Sequence, residues 1–284
     1  MSQALKRERS LEEAGRSAGF FPKVRAEGRR PVLQIEDLAM RYGEGEPVVE
    51  GASLQVLEGE LVSLVGPSGS GKSTILRAIS GLHEPAGGRI ETELGPREIG
   101  FLFQDDALLP WRTARHNVAL GLRLQGLPQA EARDQAEDWL ARLGLAGFGG
   151  RYPRQLSGGQ RKRVALAQVL ALKPRLLLMD EPFASLDAIV RQRITQDLLG
   201  WVEREGISVL LVTHDLEEAQ ALSDVVYLLS QGPRARIRNR YEVAIPRPRN
   251  LIAARGHPSF APLLQRIWKD LSEEVDIDIG ETRS

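Results

Sequence analysis

Apolar and polar positions change their period several times along the chain, and each change marks a different kind of element. From Pro31, VLQIEDLAMRY and VVEGASLQV alternate apolar with polar residues, the period of two expected of half-buried antiparallel strands. GELVSLVG is apolar through its centre, as a strand buried on both faces must be. It leads through a glycine-rich turn into KSTILRAISGL, which reads as a helix stopped at Gly81. A PAGG turn precedes two short strands, RI and REIGFLFQ. Between about Ala114 and Leu145 the period becomes three and four, and Ala132, Ala136, Trp139, Leu140 and Leu143 share one helix face. Another helix is expected over QRKRVALAQVLAL. Strand and helix then alternate through RLLLMDE, IVRQRITQDLLGWVER, ISVLLVTHD, EEAQALS and DVVYLLS.

Strands alternating with helices, several of them apolar on both faces, predict an α/β fold whose mostly parallel sheet is covered on both sides. The early alternating strands form an antiparallel β subdomain, and residues 105–165 a helical insertion. This domain is expected over 31–231. Residues 1–30 are charged, with few anchors beyond Phe20 and Phe21, and read as a mobile extension. Residues 232–284 read as a tail, a solvated strand and a terminal amphipathic helix at LLQRIWKDL.

Bulk composition narrows the function classes. Hydrophobic residues are 42% of the 284 and charged residues 27%, which excludes wholesale disorder. The 38 basic and 38 acidic side chains cancel, which argues against nucleic acid as a partner. With no cysteine there is no disulfide framework, thiolate metal site or cysteine nucleophile. No apolar run is long enough to cross a bilayer, so a membrane role must run through a partner that supplies spanning helices.

The chemistry concentrates in three places. GPSGSGKST, from Gly66 through Pro67, Ser68, Gly69, Ser70, Gly71, Lys72 and Ser73 to Thr74, has the spacing of a phosphate-binding loop. Small residues there let backbone N–H groups converge on phosphates, and the following helix adds its positive end. Lys72 is placed to reach the β- and γ-phosphates and Ser73 to ligate magnesium. LLLMDE then carries Asp180 to a strand end, as a magnesium ligand, with Glu181 beside it as general base. LSGGQ, including Ser157, Gly158, Gly159 and Gln160, opens a helix and so offers a second anion site. Two phosphate sites in one chain make sense if two chains meet, each offering its LSGGQ to the other's nucleotide.

A phosphate loop, then LSGGQ, then LLLMDEP resembles the ATP-binding-cassette ATPases, over about Val32 to Ser230. The resemblance implies ATP and Mg2+ as cofactors, and further roles. Tyr42 matches the aromatic that stacks on adenine. Gln104 matches the glutamine that touches magnesium and the lytic water, Asp187 the aspartate that communicates across a cassette dimer, and His214 the histidine that contacts the γ-phosphate. Lys162 and Gln168 depart from the common RQRVALARAL pattern, with modest consequences expected.

FQDDALLPWRTARHNVALGL and the late IPRPR resemble importers of sulfonates, taurine and nitrate. This branch implies transmembrane permease subunits, an extracytoplasmic solute-binding protein and a place on the cytoplasmic face of the inner membrane. Asp105–Val118 would grip the permease, Trp111 being either part of that surface or a packed aromatic. Sulfonate or taurine ranks ahead of nitrate as cargo. The alternative is a soluble cassette ATPase acting on ribosomes or DNA; its known forms carry two cassettes or a long heptad insertion.

Overall fold

The computed structural model describes residues 28–280, Ser185 excepted, with side chains as far as Glu274. The extension expected over 1–30 lies almost wholly outside the described residues. Two sheets organise the chain from Pro31 onward. β1 (Pro31–Arg41), β2 (Pro47–Leu57) and β4 (Gly87–Glu91) form an antiparallel sheet in the order β2-β1-β4. β3 (Leu61–Val65), β5 (Ile99–Leu102), β6 (Leu176–Asp180), β7 (Ser208–Val212), β8 (Val225–Leu229) and β9 (Ile237–Glu242) form the second sheet. Its order is β5-β6-β7-β3-β8-β9, parallel except for β9.

The apolar strands are continuous because both faces are covered. All five residues of β3, β6, β7 and β8 are buried. Alternation within β6 sends Leu177 and Met179 into one core and Leu176 and Leu178 into the other. Truncating one of these leucines to alanine would cost about 2–5 kcal/mol.

Eight helices complete the described domain: α1 (Lys72–Ile79), α2 (Ala114–Leu124), α3 (Gln129–Arg142), α4 (Gly158–Leu170), α5 (Ala188–Glu205), α6 (Leu216–Leu222), α7 (Leu251–Arg255) and α8 (Phe260–Gly280). α1 packs with β1 and β2 on one face of the second sheet. α2, α3 and α4 enter the chain between β5 and β6 and share the core on the other face, with Ala132, Ala136 and Leu140 fully buried.

Residues 232–274, beyond the 31–231 expected for the domain, pack onto the second sheet. β9 pairs with β8, Tyr241 and Phe260 are buried, and Ile267 of α8 is fully buried. The solvated strand expected in the tail is β9, in which two of the six residues of IRNRYE are buried and the rest carry hydrogen bonds. Asn239 and the Tyr241 hydroxyl both donate to Asp270 of α8, at 2.8 and 2.6 Å. Further in, IPRPR grips the sheet's far edge. Arg249, 5% exposed, donates to Asp224 and to the carbonyls of Ile245 and Leu222. Among the described residues no helix is long and apolar enough to cross a membrane.

Candidate functional site

The carboxyl ends of β3, β6 and β7 bring three separated pieces of sequence together. β3 runs into the glycine-rich loop, β6 ends on Asp180, and His214 follows β7. Such an edge is where open α/β sheets bind ligands, because loops there can be shaped without breaking the ladder.

The loop is a cradle held open by small residues and by its own lysine. Gly71 has φ 93°, and a Cβ there would meet Val49 Cγ2 at 2.5 Å, so only glycine fits the turn into α1. The Lys72 ammonium folds back onto the carbonyls of Gly66 (3.0 Å) and Pro67 (2.7 Å) and the Ser70 hydroxyl (3.4 Å). Burial pushes the Lys72 pKa below its usual value, while Glu181 and Asp180 push it back up. Ser68, Gly69, Ser73 and Thr74 complete the turn and the first residues of α1.

Across the loop, the Ser73 hydroxyl donates to Asp180 Oδ1 at 2.8 Å. Burial raises the Asp180 pKa; the Ser73 hydrogen bond lowers it, Glu181 raises it, and Arg77 and Lys72 lower it. A hydroxyl and a carboxylate are the hard oxygen donors that magnesium takes, with phosphate oxygens and water filling the other positions. Among the described residues no cluster of three or more His, Cys, Asp or Glu could hold a metal by itself. The donor set therefore fits a cation that arrives with a phosphate.

Glu181 follows directly, with φ 41°, a left-handed conformation that a non-glycine residue adopts at a cost of about 1–3 kcal/mol. Its N–H is pinned to the Val212 carbonyl at 2.9 Å, which ties it to the end of β7. Its Oε2 lies 3.1 Å from His214 Nδ1. The two residues, 33 apart in sequence, thus share one small cavity with Thr213, Asp215 and Glu218. Glu218 accepts from the Thr213 hydroxyl at 2.7 Å, and burial raises its pKa to about 7.

Tyr42 stands beside the cradle, 47% exposed, its hydroxyl 3.1 Å from Thr74 Oγ1. Its ring lies 4.7 Å from that of His83, a neighbour that no motif singles out. Gln104 is exposed just past β5, and its carbonyl accepts from Lys162 Nζ at 3.0 Å. Lys162, one of the two departures from the common pattern, is a buried ammonium on the glutamine segment. The available signal was a lysine whose i+4 neighbour, Leu166, belongs to the apolar face of α4.

LSGGQ lies apart from this group. Ser157 caps α4: its hydroxyl accepts from Gln160 N–H, and Gln160 Oε1 accepts from Ser157 N–H at 2.9 Å. This box leaves the N–H groups of Gly158 and Gly159 at the open amino end of the helix. A Cβ on Gly159 would meet Val190 Cγ1 at 2.7 Å, so α4 and α5 touch through a glycine. Asp187 caps α5 by accepting from Val190 N–H at 3.0 Å. Among the described residues no hydrogen bond or ion pair joins residues 157–160 to 66–74. A cavity of about 310 Å3 between Trp139 and Trp201 lies at the opposite edge of the sheet and holds none of these groups.

Known proteins share this arrangement. The family model described as ABC transporter matches residues 49–184. The taurine import ATP-binding protein of Pseudomonas entomophila is 44% identical over 208 residues, covering 71% of this chain and 80% of that protein. The nitrate import ATP-binding protein of Synechocystis is 42% identical over 74% of this chain; the match spans 32% of that longer protein. The dimeric post-hydrolysis structure of the ATP-binding cassette MJ0796, bound to ADP and Pi, superposes with a TM-score of 0.66 at 32% identity, covering 75% of this chain and 100% of that one. The cradle, the strand-end carboxylates and these likenesses lead to one conclusion: the chain belongs to the ATP-binding-cassette transporter ATPases, which bind and hydrolyse ATP.

Proposed function

We propose that the chain is the ATP-hydrolysing subunit of an importer, working at the cytoplasmic face of the inner membrane. Its partners are a second cassette, transmembrane permease subunits and an extracytoplasmic solute-binding protein, with no role for nucleic acid. The observation that carries this reading is the meeting of Lys72, Ser73, Asp180, Glu181 and His214 at one sheet edge while Ser157–Gln160 cap a helix elsewhere. One half-site in each of two places is what a face-to-face pair requires.

In this mechanism the loop from Gly66 to Thr74 wraps the phosphates, and Lys72 exchanges the carbonyls of Gly66 and Pro67 for phosphate oxygens. Tyr42 stacks on the adenine. Ser73 and Asp180, with Gln104, would hold magnesium, which when bound would neutralise phosphate charge. Glu181 takes the proton of the attacking water, and His214 orients it through the 3.1 Å contact and reads the γ-phosphate. Ser157, Gly158, Gly159 and Gln160 close over the partner's nucleotide, and Asp187 reports between the two sites. Most of the rate enhancement is electrostatic, from aligned N–H groups and Lys72.

Sulfonate or taurine ranks first as cargo and nitrate second. The relatives named for taurine and nitrate support this, as does the FQDDALLPW segment. The test is growth of a strain lacking this gene on taurine, an alkanesulfonate or nitrate as single source, with sulfate and ammonium as controls. Loss of growth on one source, restored by the wild-type gene but not by Lys72→Ala, identifies the cargo. Normal growth on all of them removes these solutes from consideration.

A further inference from the structure

Lys162 lies in the second turn of α4, where an apolar residue would pack at no electrostatic cost. It is 1% exposed, and burial holds its pKa below the usual value, with Asp106 partly restoring it. An isolated ammonium in such a place is destabilising unless its donors are all used. They are used on one short segment. Lys162 Nζ donates to the carbonyls of Phe103 (3.1 Å) and Gln104 (3.0 Å) and lies 3.6 Å from Asp106 Oδ1. The adjacent Arg161 doubles the link, with Nε donating to Asp106 Oδ2 at 3.1 Å and Nη1 to the Leu156 carbonyl at 2.9 Å. Residues 103–106 have left β5 and carry no other main-chain hydrogen bonds among the described residues. Their position is set by α4, the helix that begins at Ser157.

We propose that Lys162 is a positioning residue for ATP hydrolysis, fixing the main chain of Gln104 to the helix capped by Ser157 so that glutamine and LSGGQ move as one body. The proposal rests on the role given to Gln104 above. An apolar side chain would keep the packing and lose the clamp. A glutamine, with two N–H donors on one nitrogen one bond nearer the main chain, would keep the packing and part of the clamp.

Three variants of the full-length chain test this: Lys162→Met, Lys162→Gln and Gln104→Ala. Main-chain amide order parameters over 103–106 should fall from about 0.85 toward about 0.6 in Lys162→Met, with the rest of the domain and the Tm little changed. Its kcat should fall about tenfold with KM for ATP within about twofold, the pattern of an interaction used after binding. Lys162→Gln should recover part of both readouts. Unchanged order parameters or unchanged kcat in Lys162→Met overturns the proposal, as does an equal loss in Lys162→Gln. If Gln104→Ala keeps full activity, the reading of Gln104 itself is what fails.

Discussion

Asp180 and Asp224 stand at opposite edges of the same parallel sheet, and their surroundings push them in opposite directions. Asp180 ends β6, where burial raises its pKa and, among the described residues, its one side-chain hydrogen-bond donor is the Ser73 hydroxyl. Asp224 precedes β8 at the other edge. Burial would raise it too, but Arg249, Arg247 and the Leu61 N–H together hold it below the usual carboxylate range. One carboxylate has fewer partners than it can use, and the other is saturated. An under-satisfied buried charge lowers stability and is kept where a ligand will complete it; a saturated one ties chain segments together. The same contrast separates the strained Glu181 and the proton-holding Glu218 from the arginine clamp at the far edge.

Substitutions can break this comparison. Glu181→Gln should lower kcat by about 10³-fold while ATP binding survives, since it removes the base and keeps the shape. Steady-state turnover beside nucleotide-binding titration reads it, and near-wild-type turnover would remove Glu181 from its role. Arg249→Ala should cost about 3 kcal/mol in urea unfolding, because Asp224 and two carbonyls lose a buried donor. Turnover of the folded fraction should stay near wild type, which places that edge outside the chemistry.

Glu218 sharpens the contrast through pH. Its ordinary pKa of 4.5 is raised to about 7, so between those values the folded chain holds a proton that the unfolded chain has released. Stability from this group is therefore full below about pH 4.5, falls as pH rises toward 7, and stays low above. Glu218→Gln mimics the protonated acid and should gain at most about 3 kcal/mol at pH 8 and almost nothing at pH 4.5. A pH-independent difference in unfolding midpoint would refute the assignment. The smallest stability effect is expected from Asp180→Asn, which should stabilise the chain by about 0.5–1 kcal/mol in magnesium-free buffer; in buffer with magnesium the same variant should lose most turnover. Asp224→Asn should go the other way, and matching signs would dissolve the distinction.

Much of the site was legible because its chemistry is local. The phosphate loop needs small residues in succession, Lys72 and Ser73 follow at fixed offsets, and Asp180 and Glu181 sit at the end of an apolar strand. What escaped was long-range and polar. Lys162 and the Gln104 carbonyl are 58 positions apart, Arg249 and Asp224 lie 25 apart, and β9 wears the pattern of a surface strand. No periodicity marks a buried charge whose partners come from another element.

The sequence by itself determined the order of strands and helices, the two buried faces of the central strands, the phosphate cradle and the family. Period, turn chemistry and small-residue spacing all act within a few residues, so they can be read along the chain. The tertiary structure alone decided which groups became neighbours: His214 against Glu181, Lys162 under Gln104, His83 beside Tyr42, and residues 237–242 as a sixth strand of the second sheet. Those pairings are set by which segments the packed sheet brings into contact, and burial then gives each charge its meaning by deciding whether its partners are present.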